Sequence, residues 1–385
     1  MKKILFSSYN YALELIAYRH QKSKLELQNS TIYLKRGGAL DACRFLASVF
    51  IIMYHFEANA PVSLKLMFDI AGRGHLATNF FIALSGFIIG SIYGEKIING
   101  SISPIQFFCK RFIRIYPAHL IALIILVIIV IGAHSIGYQF SGANNFKWSE
   151  LPQHLFLLHA FGLSDFGWNY PTWTLSTLLV CYMLFPWLWK CVNVLAAPLV
   201  ITMFAIIWVW SGDLLSYELL NTSLFKLPPA YAIFRTISVF VFGLLLAKFV
   251  ISIQNKHKVR RMFLHISGLV VLTFVIIYST GALTMLSIGT AIVLFSFTQS
   301  QRGSRLVEFL ARISFAMFLT HVSVGAVWFK SLSLFYRDYK LALEIQWLLW
   351  CLGIVMAIIV AALFHLYLEI PINKYIARRI NLVKC

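Results

Sequence analysis

The amino-acid sequence predicts an all-α integral membrane protein, a polytopic bundle of about ten transmembrane helices. Hydrophobic residues make up 60% of its 385 residues and charged residues only 12%, and the mean hydropathy is +0.79. A soluble domain carries roughly 25% charged residues, so this chain lacks the polar surface that water requires. Because apolar stretches near spanning length recur along the chain, membrane lipid is the expected partner of its outer surface.

The apolar stretches give ten predicted spans, at about 39–58, 75–94, 115–137, 172–190, 194–211, 231–251, 262–279, 282–299, 309–331 and 342–368. Several are short for a hydrocarbon core of about 30 Å, so tilt and flanking Trp, Tyr and Lys must adjust the fit. The predicted organisation is an N-terminal cytoplasmic segment at 1–38, a transmembrane domain at 39–371 and a basic cytoplasmic tail at 372–385. Part of the first segment, 11–18, is compatible with an amphipathic helix on the membrane surface.

The distribution of Lys and Arg predicts that both termini are cytoplasmic. With this orientation the inner segments hold about three times as many of the 33 Lys and Arg residues as the outer segments. The formal net charge of +19 is then explained by juxtamembrane anchoring, and nucleic-acid binding is not expected because no basic stripe with interleaved aromatic residues occurs. The six cysteines form no CxxC pair or His/Cys cluster, so neither disulfides nor a metal site is expected.

The first predicted span contains two ionisable residues, Arg44 and His55. A charged group near a helix centre costs at least about 2.5–3.5 kcal/mol, which favours a functional explanation. Their spacing places both on one helical stripe, separated by a rise of about 16.5 Å. Arg44, at the inner depth, suits a phosphate or carboxylate, and His55, at the outer depth, suits proton transfer. A structural alternative has Arg44 reach the inner headgroups and pair with Asp41.

A second basic group, Lys110, Arg111 and Arg114, lies in the loop after the second predicted span. Arg111 and Arg114 share one helix face, ahead of an expected break at Pro117. Guanidinium groups at this interface suit the phosphates of a nucleotide or of CoA, and ordinary positive-inside anchoring explains them equally well.

The longest predicted outer loop, from about 138 to 171, is rich in aromatic, amide and histidine residues. Aromatic faces and amides suit sugar rings, whereas interfacial anchoring explains the aromatic residues without a ligand. The residues concerned are Asn144, Asn145, Trp148, His154, His159, Asp165, Trp168 and Tyr170.

Six segments follow one another in order over about 40–371. They are Arg44 and His55, with ten residues between them, after Leu40-Asp41; FFIALSGFIIG at 80–90; Arg111 and Arg114 before Ile115-Tyr116-Pro117; PTWTLS at 171–176, with Tyr182 and Phe185-Pro186 beyond it; ISFAMFLTH, ending at His321; and Glu369 with Pro371. In this order they resemble the membrane-bound acyltransferase family 3, which O-acylates envelope and exported glycans. Where many members carry a glutamate after the tryptophan-serine segment, this chain has Leu178, so no glutamate partner is assigned to His55.

The resemblance implies an O-acyltransferase, most simply an O-acetyltransferase, of the cell inner (plasma) membrane. Acetyl-CoA or another acyl-CoA would bind from the cytoplasm at Arg111, Arg114 and Lys110. The acyl group would pass to a sugar hydroxyl of a glycan acceptor on the outer face, with His55 as general base and Arg44 as the second catalytic residue.

The remaining candidate residues are assigned to acceptor binding. By depth, Asn79, Trp173 and Ser176 are expected to form one outward pocket with His55, with Asn79 or Ser176 as hydrogen-bond donors to the acceptor or an oxyanion. Ser85 and Tyr182 complete this predicted set, together with His321. Ser85-Gly86 also predicts a close helix contact, and His321 is equally compatible with a packed, hydrogen-bonded histidine.

Two other functions remain open at this stage. A transporter or flippase of a glycan or small solute fits ten spans with intramembrane Arg and His, although no matching Gly/Pro-interrupted helices appear in the two halves. A member of the family that lost activity with its glutamate, and now only binds, also fits Leu178.

Overall fold

The computed structural model describes residues 38–137, 146–161, 167–253, 266–271, 281–297, 303–336 and 341–381. Within these ranges all regular structure is helical, which confirms the predicted all-α membrane fold. Eight described helices are long and apolar enough to cross a bilayer, and a further apolar helix has 17 residues. Residues 1–37, with the predicted amphipathic helix, lie outside the described residues, as does all of the predicted span 262–279 except 266–271.

The main helices are α1 Ala39–Phe56, α2 His75–Ile98, α3 Pro104–Ser135, α4 Trp173–Asn193, α5 Pro198–Leu220, α6 Ala232–Ile253, α7 Gly281–Phe297, α8 Arg305–Tyr336, α9 Leu343–Phe364 and α10 Ile370–Asn381. A π-helical turn, His365–Glu369, joins α9 to α10 without a break. The predicted basic tail therefore continues the last helix as far as Asn381.

Helix α3 corrects two expectations about the basic run. The helix begins at Pro104 with a capping box between Ser103 and Gln106, and it continues through Pro117. Lys110, Arg111 and Arg114 thus lie within a long helix, not in a loop, and no break follows them. A proline is tolerated here because neighbouring helices and local adjustments can satisfy the backbone groups that it frees.

Helices α2 and α6 cross closely at two glycines. A Cβ on Gly86 would overlap the carbonyl oxygen of Phe240, and a Cβ on Gly243 would overlap that of Ala83. The close contact predicted for Ser85-Gly86 is therefore confirmed. About two turns earlier in each helix, Arg235 reaches Asn79 across the same interface, so α2 and α6 run parallel.

Helix α1 packs against α8 and α9. The Ser48 hydroxyl, buried in this interface, lies 3.4 Å from the carbonyl oxygen of Ser314. At the other end of α1, the Trp350 indole donates to the carbonyl oxygen of Phe56 over 3.0 Å. These contacts hold the histidine-bearing end of α1 against the middle of the bundle.

Candidate active site

Two cavities meet inside the helix bundle. The arginine cavity, of about 210 Å³, is lined by Arg44, Ser85, Arg111, Arg114 and Tyr182, among others. The histidine cavity, of about 200 Å³, is lined by Tyr54, His55, His75, Tyr170, Trp173 and Arg235, among others. Their walls share Ile51, Thr78, Thr174 and Phe318. Arg44, Arg111 and Arg114 thus line one cavity, and His55 and Trp173 line the other. Ser85 and Tyr182, which were assigned to acceptor binding, instead line the arginine cavity. The four shared side chains stand between the two cavities.

The three arginines of the arginine cavity differ in their partners. Arg44 lies 3.4 Å from Asp41, so the pairing considered as a structural alternative is present. The Arg111 guanidinium instead stacks over the ring of Tyr93, 4.6 Å from its centroid, and its buried Nε has no hydrogen-bond partner among the described residues. Lys110 is exposed and lines neither cavity. Of the predicted CoA-binding residues, Arg111 is therefore the one best placed to bind a phosphate through its N–H groups.

Arg114 is held by the carboxylate of Glu369. Its guanidinium lies 3.0 Å from Oε1 of Glu369, while Nδ1 of His365 lies 2.7 Å from Oε2. Glu369 is fully buried at the end of the π-helical turn. Glu369, at the end of the sequence motif, thus has a structural role, because it ties Arg114 of α3, in the wall of the arginine cavity, to the π-helical turn.

His55 is surrounded by aromatic rings at the C-terminal end of α1. Its ring centroid lies 5.3 Å from that of Tyr54, 5.6 Å from that of Tyr170 and 5.2 Å from that of His321. His55 is half-buried and lines the histidine cavity. No carboxylate hydrogen-bonds to its ring within the described residues, so the aromatic neighbours set its orientation.

His321 lies behind His55, outside the walls of both cavities. It is fully buried, and its Nδ1 lies 2.9 Å from the carbonyl oxygen of Met317. Because a carbonyl oxygen only accepts, Nδ1 carries the proton and Nε2 of the neutral ring is an acceptor. That Nε2 is buried and has no hydrogen-bond partner among the described residues. His321 is thus both a packed histidine and a neighbour of the predicted base.

Two predicted hydrogen-bond donors of the outward pocket are already engaged elsewhere. The Ser176 hydroxyl donates to the carbonyl oxygen of Leu157, and the Asn79 amide donates to that of Phe225 over 3.1 Å. Neither residue lines the histidine cavity, whereas Trp173 does. The expectation that Asn79 and Ser176 face this cavity is therefore wrong. Spacing along a helix sets the depth of a residue, but the rotation of each helix about its axis depends on packing.

The loop that was predicted to face outward has several of its aromatic and histidine side chains buried in packing contacts. His154, His159 and Trp168 are fully buried, and the Trp168 indole donates to the carbonyl oxygen of Lys147 over 2.8 Å. Burial, together with nearby His154 and His119, lowers the pKa of His159 to about 3, so this ring is neutral at physiological pH. Of the other predicted loop residues, Tyr170 lines the histidine cavity, Trp148 is exposed, and Asn144, Asn145 and Asp165 lie outside the described residues.

The family model of the acyltransferase domain matches residues 38–366, which is most of the chain. The matched range includes the lining residues of both cavities but not Glu369, which pairs with Arg114. The chain belongs to acyltransferase family 3.

Two curated relatives are similar to parts of this family member. "Protein 2 in picA locus" of Rhizobium radiobacter is 34% identical over 101 residues, 26% of this chain and 48% of the relative. "Acyltransferase MdmB" of Streptomyces mycarofaciens is 28% identical over 159 residues, 39% of this chain and 38% of the relative. The chain therefore spans about half or less of the length of these relatives. No solved structure matches it significantly.

Within this acyltransferase family member, Leu178 stands where the resemblance implies a glutamate. Leu178 lines the arginine cavity and not the histidine cavity. A carboxylate there would belong to the wall beside Tyr182 and Arg111, so its replacement makes the arginine cavity more apolar. The surroundings of His55 are unaffected.

Sequence reasoning missed several of the lining residues, among them Thr78, Lys226 and Arg235. Arg235 is buried in the first turn of α6 and lines the histidine cavity. It lies in the predicted span 231–251, so the criterion that selected Arg44, an ionisable residue inside a span, would also have selected Arg235.

Proposed function

We propose that the protein is a membrane-embedded O-acyltransferase that carries an acyl group from acyl-CoA in the arginine cavity to a sugar hydroxyl in the histidine cavity. The observation that carries this proposal is the shared wall of Ile51, Thr78, Thr174 and Phe318, with arginines on one side and His55 on the other. Family membership supplies the reaction class, and the name of MdmB agrees with it. We further propose the cell inner membrane as its location, with both termini cytoplasmic.

The donor in this scheme is acetyl-CoA or another acyl-CoA entering from the cytoplasm. The Arg111 guanidinium binds a CoA phosphate, supported by the buried Nε that lacks a partner in the described part of the chain. The rise from Arg44 to His55 is about 16.5 Å, comparable to the reach of a phosphopantetheine arm. The arm then lies between Thr78 and Phe318, which places the thioester near His55.

His55 accepts the proton of the acceptor hydroxyl while the oxygen attacks the thioester carbonyl carbon. The new C–O bond forms, the C–S bond breaks, and His55 returns the proton to the departing CoA thiolate. Thr78 lines both cavities. We propose that its hydroxyl donates a hydrogen bond to the thioester carbonyl oxygen as that oxygen gains negative charge. The Thr174 hydroxyl, in contrast, donates to the carbonyl oxygen of Pro171 over 3.0 Å.

The acceptor is proposed to be a sugar of an envelope or exported polysaccharide. Trp173 and Tyr170 present aromatic surface to the histidine cavity, as sugar rings require. His321 packs against the His55 ring and restrains its orientation, a role that a carboxylate has in other enzymes.

A transfer assay tests this function. Membranes containing the protein are incubated with acyl-labelled acetyl-CoA, and label is followed into glycan and into water-soluble acetate. Label in a glycan fraction that disappears in His55→Ala membranes supports the proposal. Equal glycan labelling with and without the protein overturns it and leaves a transporter or an inactive binding protein. Mass spectrometry of the labelled glycan then identifies the acyl group and the sugar.

A further inference from the structure

Arg235 is a buried cation whose partners among the described residues are neutral. It is 4% exposed, and its Nε donates to Oδ1 of Asn79 over 2.9 Å. Its two terminal nitrogens donate to the carbonyl oxygens of Leu227 and His75, each over 3.3 Å. None of the described Asp and Glu residues forms an ion pair with it. A buried charge without a counter-charge is strongly destabilising, so a protein keeps one where its charge is used.

The partners of Arg235 hold it in place without neutralising it. The Asn79 amide donates to the carbonyl oxygen of Phe225, which turns its own oxygen towards the guanidinium. The Trp173 ring lies against the guanidinium, with 5.4 Å between its centroid and Cζ. A guanidinium has five N–H donors, and these bonds use three, so one on each terminal nitrogen remains. Two parallel donors are what a carboxylate or phosphate binds best.

Among the described residues, the charged side chains that line the histidine cavity are all basic. Lys226 also lines this cavity and is exposed to solvent, and His55 and His75 are the titratable histidines of its wall. No Asp or Glu is among the described lining residues. A cleft lined by one sign of charge in a low-dielectric surrounding concentrates ligands of the opposite sign.

We propose that the histidine cavity selects an acceptor with an anionic group, a carboxylate or a phosphate, which binds Arg235 while Lys226 attracts it at the entrance. The inference rests on the proposed function, because it names the class of the acceptor. An acidic sugar seated at Arg235 places its remaining hydroxyls in the cavity that His55 lines. The acceptor class is thus sugar acids or sugar phosphates, and neutral sugars are excluded by weak binding.

The test measures binding without acyl-CoA, so its result is independent of acyl transfer. The purified full-length protein is titrated at low salt with glucuronate, glucose 1-phosphate and glucose as probes. At least one anionic probe should bind about tenfold or more tightly than glucose, as expected for charge-assisted hydrogen bonds. A preference for glucuronate or for glucose 1-phosphate identifies the anion as carboxylate or phosphate. Equal binding of all three probes, or no binding, overturns the inference.

Variants of basic residues test which of the two cavities binds the anionic probe. Lys226→Gln should weaken binding of the anionic probe several-fold and leave binding of glucose unchanged. This exposed residue can be replaced without loss of the fold. Arg235→Lys should weaken binding of the anionic probe further, because an ammonium lacks the paired donors. Lys147→Gln, an outer basic residue that lines neither cavity, is the matched control and should bind normally. If Arg111→Ala abolishes the binding while Lys226→Gln leaves it intact, the anion sits in the arginine cavity and the inference is wrong.

Discussion

The imidazole rings of His321 and His55 lie 5.2 Å apart, centroid to centroid, and join the middle of α8 to the C-terminal end of α1. His321 donates its Nδ1 proton to the backbone of Met317, so the nitrogen left without a described partner is an acceptor. The two imidazole rings therefore have different roles in this arrangement. His55 faces a cavity and can meet a substrate, whereas His321 can act only through His55.

Replacing His55 tests the proposed general base. His55→Ala should lower acyl transfer by about 10²–10⁴-fold, as for a lost base, while acyl-CoA binding persists. In the wild type, the rate should rise with pH through the pKa of His55, because only the neutral ring accepts the hydroxyl proton. His134→Ala, at an exposed histidine near the end of α3, is the matched control and should transfer normally. Transfer by His55→Ala at the wild-type rate would remove His55 from the mechanism.

Replacing His321 tests whether it positions the His55 ring or is itself the catalytic base. His321→Gln should reduce kcat less than His55→Ala does and should shift the pH profile of transfer, because it changes the neighbour of the base. A purely structural residue would lower stability without moving that profile. If His321→Gln is inactive while His55→Ala transfers, the two histidines have been assigned the wrong way round.

Arg111 and Arg114 should behave differently, although the sequence treats them as a pair. Arg111→Ala should weaken acyl-CoA binding with little loss of stability, and Arg111→Lys should restore binding only in part. Arg114→Ala removes a partner of the buried Glu369 and should lower the stability of the folded protein by about 1–3 kcal/mol. Acyl-CoA affinity and thermal unfolding in detergent measure the two effects. Identical behaviour of the two alanine variants would contradict this division.

The crossing of α2 and α6 should tolerate no added side chain. Gly243→Ala places a methyl group against the carbonyl oxygen of Ala83, so the helices must separate at a cost of about 1–3 kcal/mol. Gly132→Ala in α3 is the matched control, because a Cβ added there would meet no other atom within 4 Å. Thermal unfolding of both variants measures the difference. Equal unfolding temperatures would show that the close crossing does not limit stability.

The orientation predicted from the charges can be tested by cysteine labelling in a cysteine-free background. A cysteine at Lys190 should be protected from an impermeant reagent in intact cells, whereas one at Trp148, which is 47% exposed, should be labelled. The reverse pattern would invert the membrane orientation. The arginine cavity would then face away from cytoplasmic acyl-CoA, and the proposed mechanism would fail with it.

The sequence by itself determined the fold class and the position of each site residue along its helix. Apolar runs of spanning length require helices, because lipid offers no partner to an open backbone. Residue number along a helix then sets depth, which is why Arg44 and Arg111 share one cavity while His55 and Trp173 share the other. The motif order also placed the chain in its family.

Only the tertiary structure decided which side chains meet. Asn79 has the depth of His55, yet its amide binds Phe225 and Arg235, because the Gly86–Gly243 crossing turns that face of α2 towards α6. Likewise, the carboxylate that engages Arg114 is more than 250 positions away in the chain, at Glu369. A local pattern reports the period and depth of one helix. Rotation about the helix axis and the choice of neighbour depend on packing between helices, which no single segment encodes.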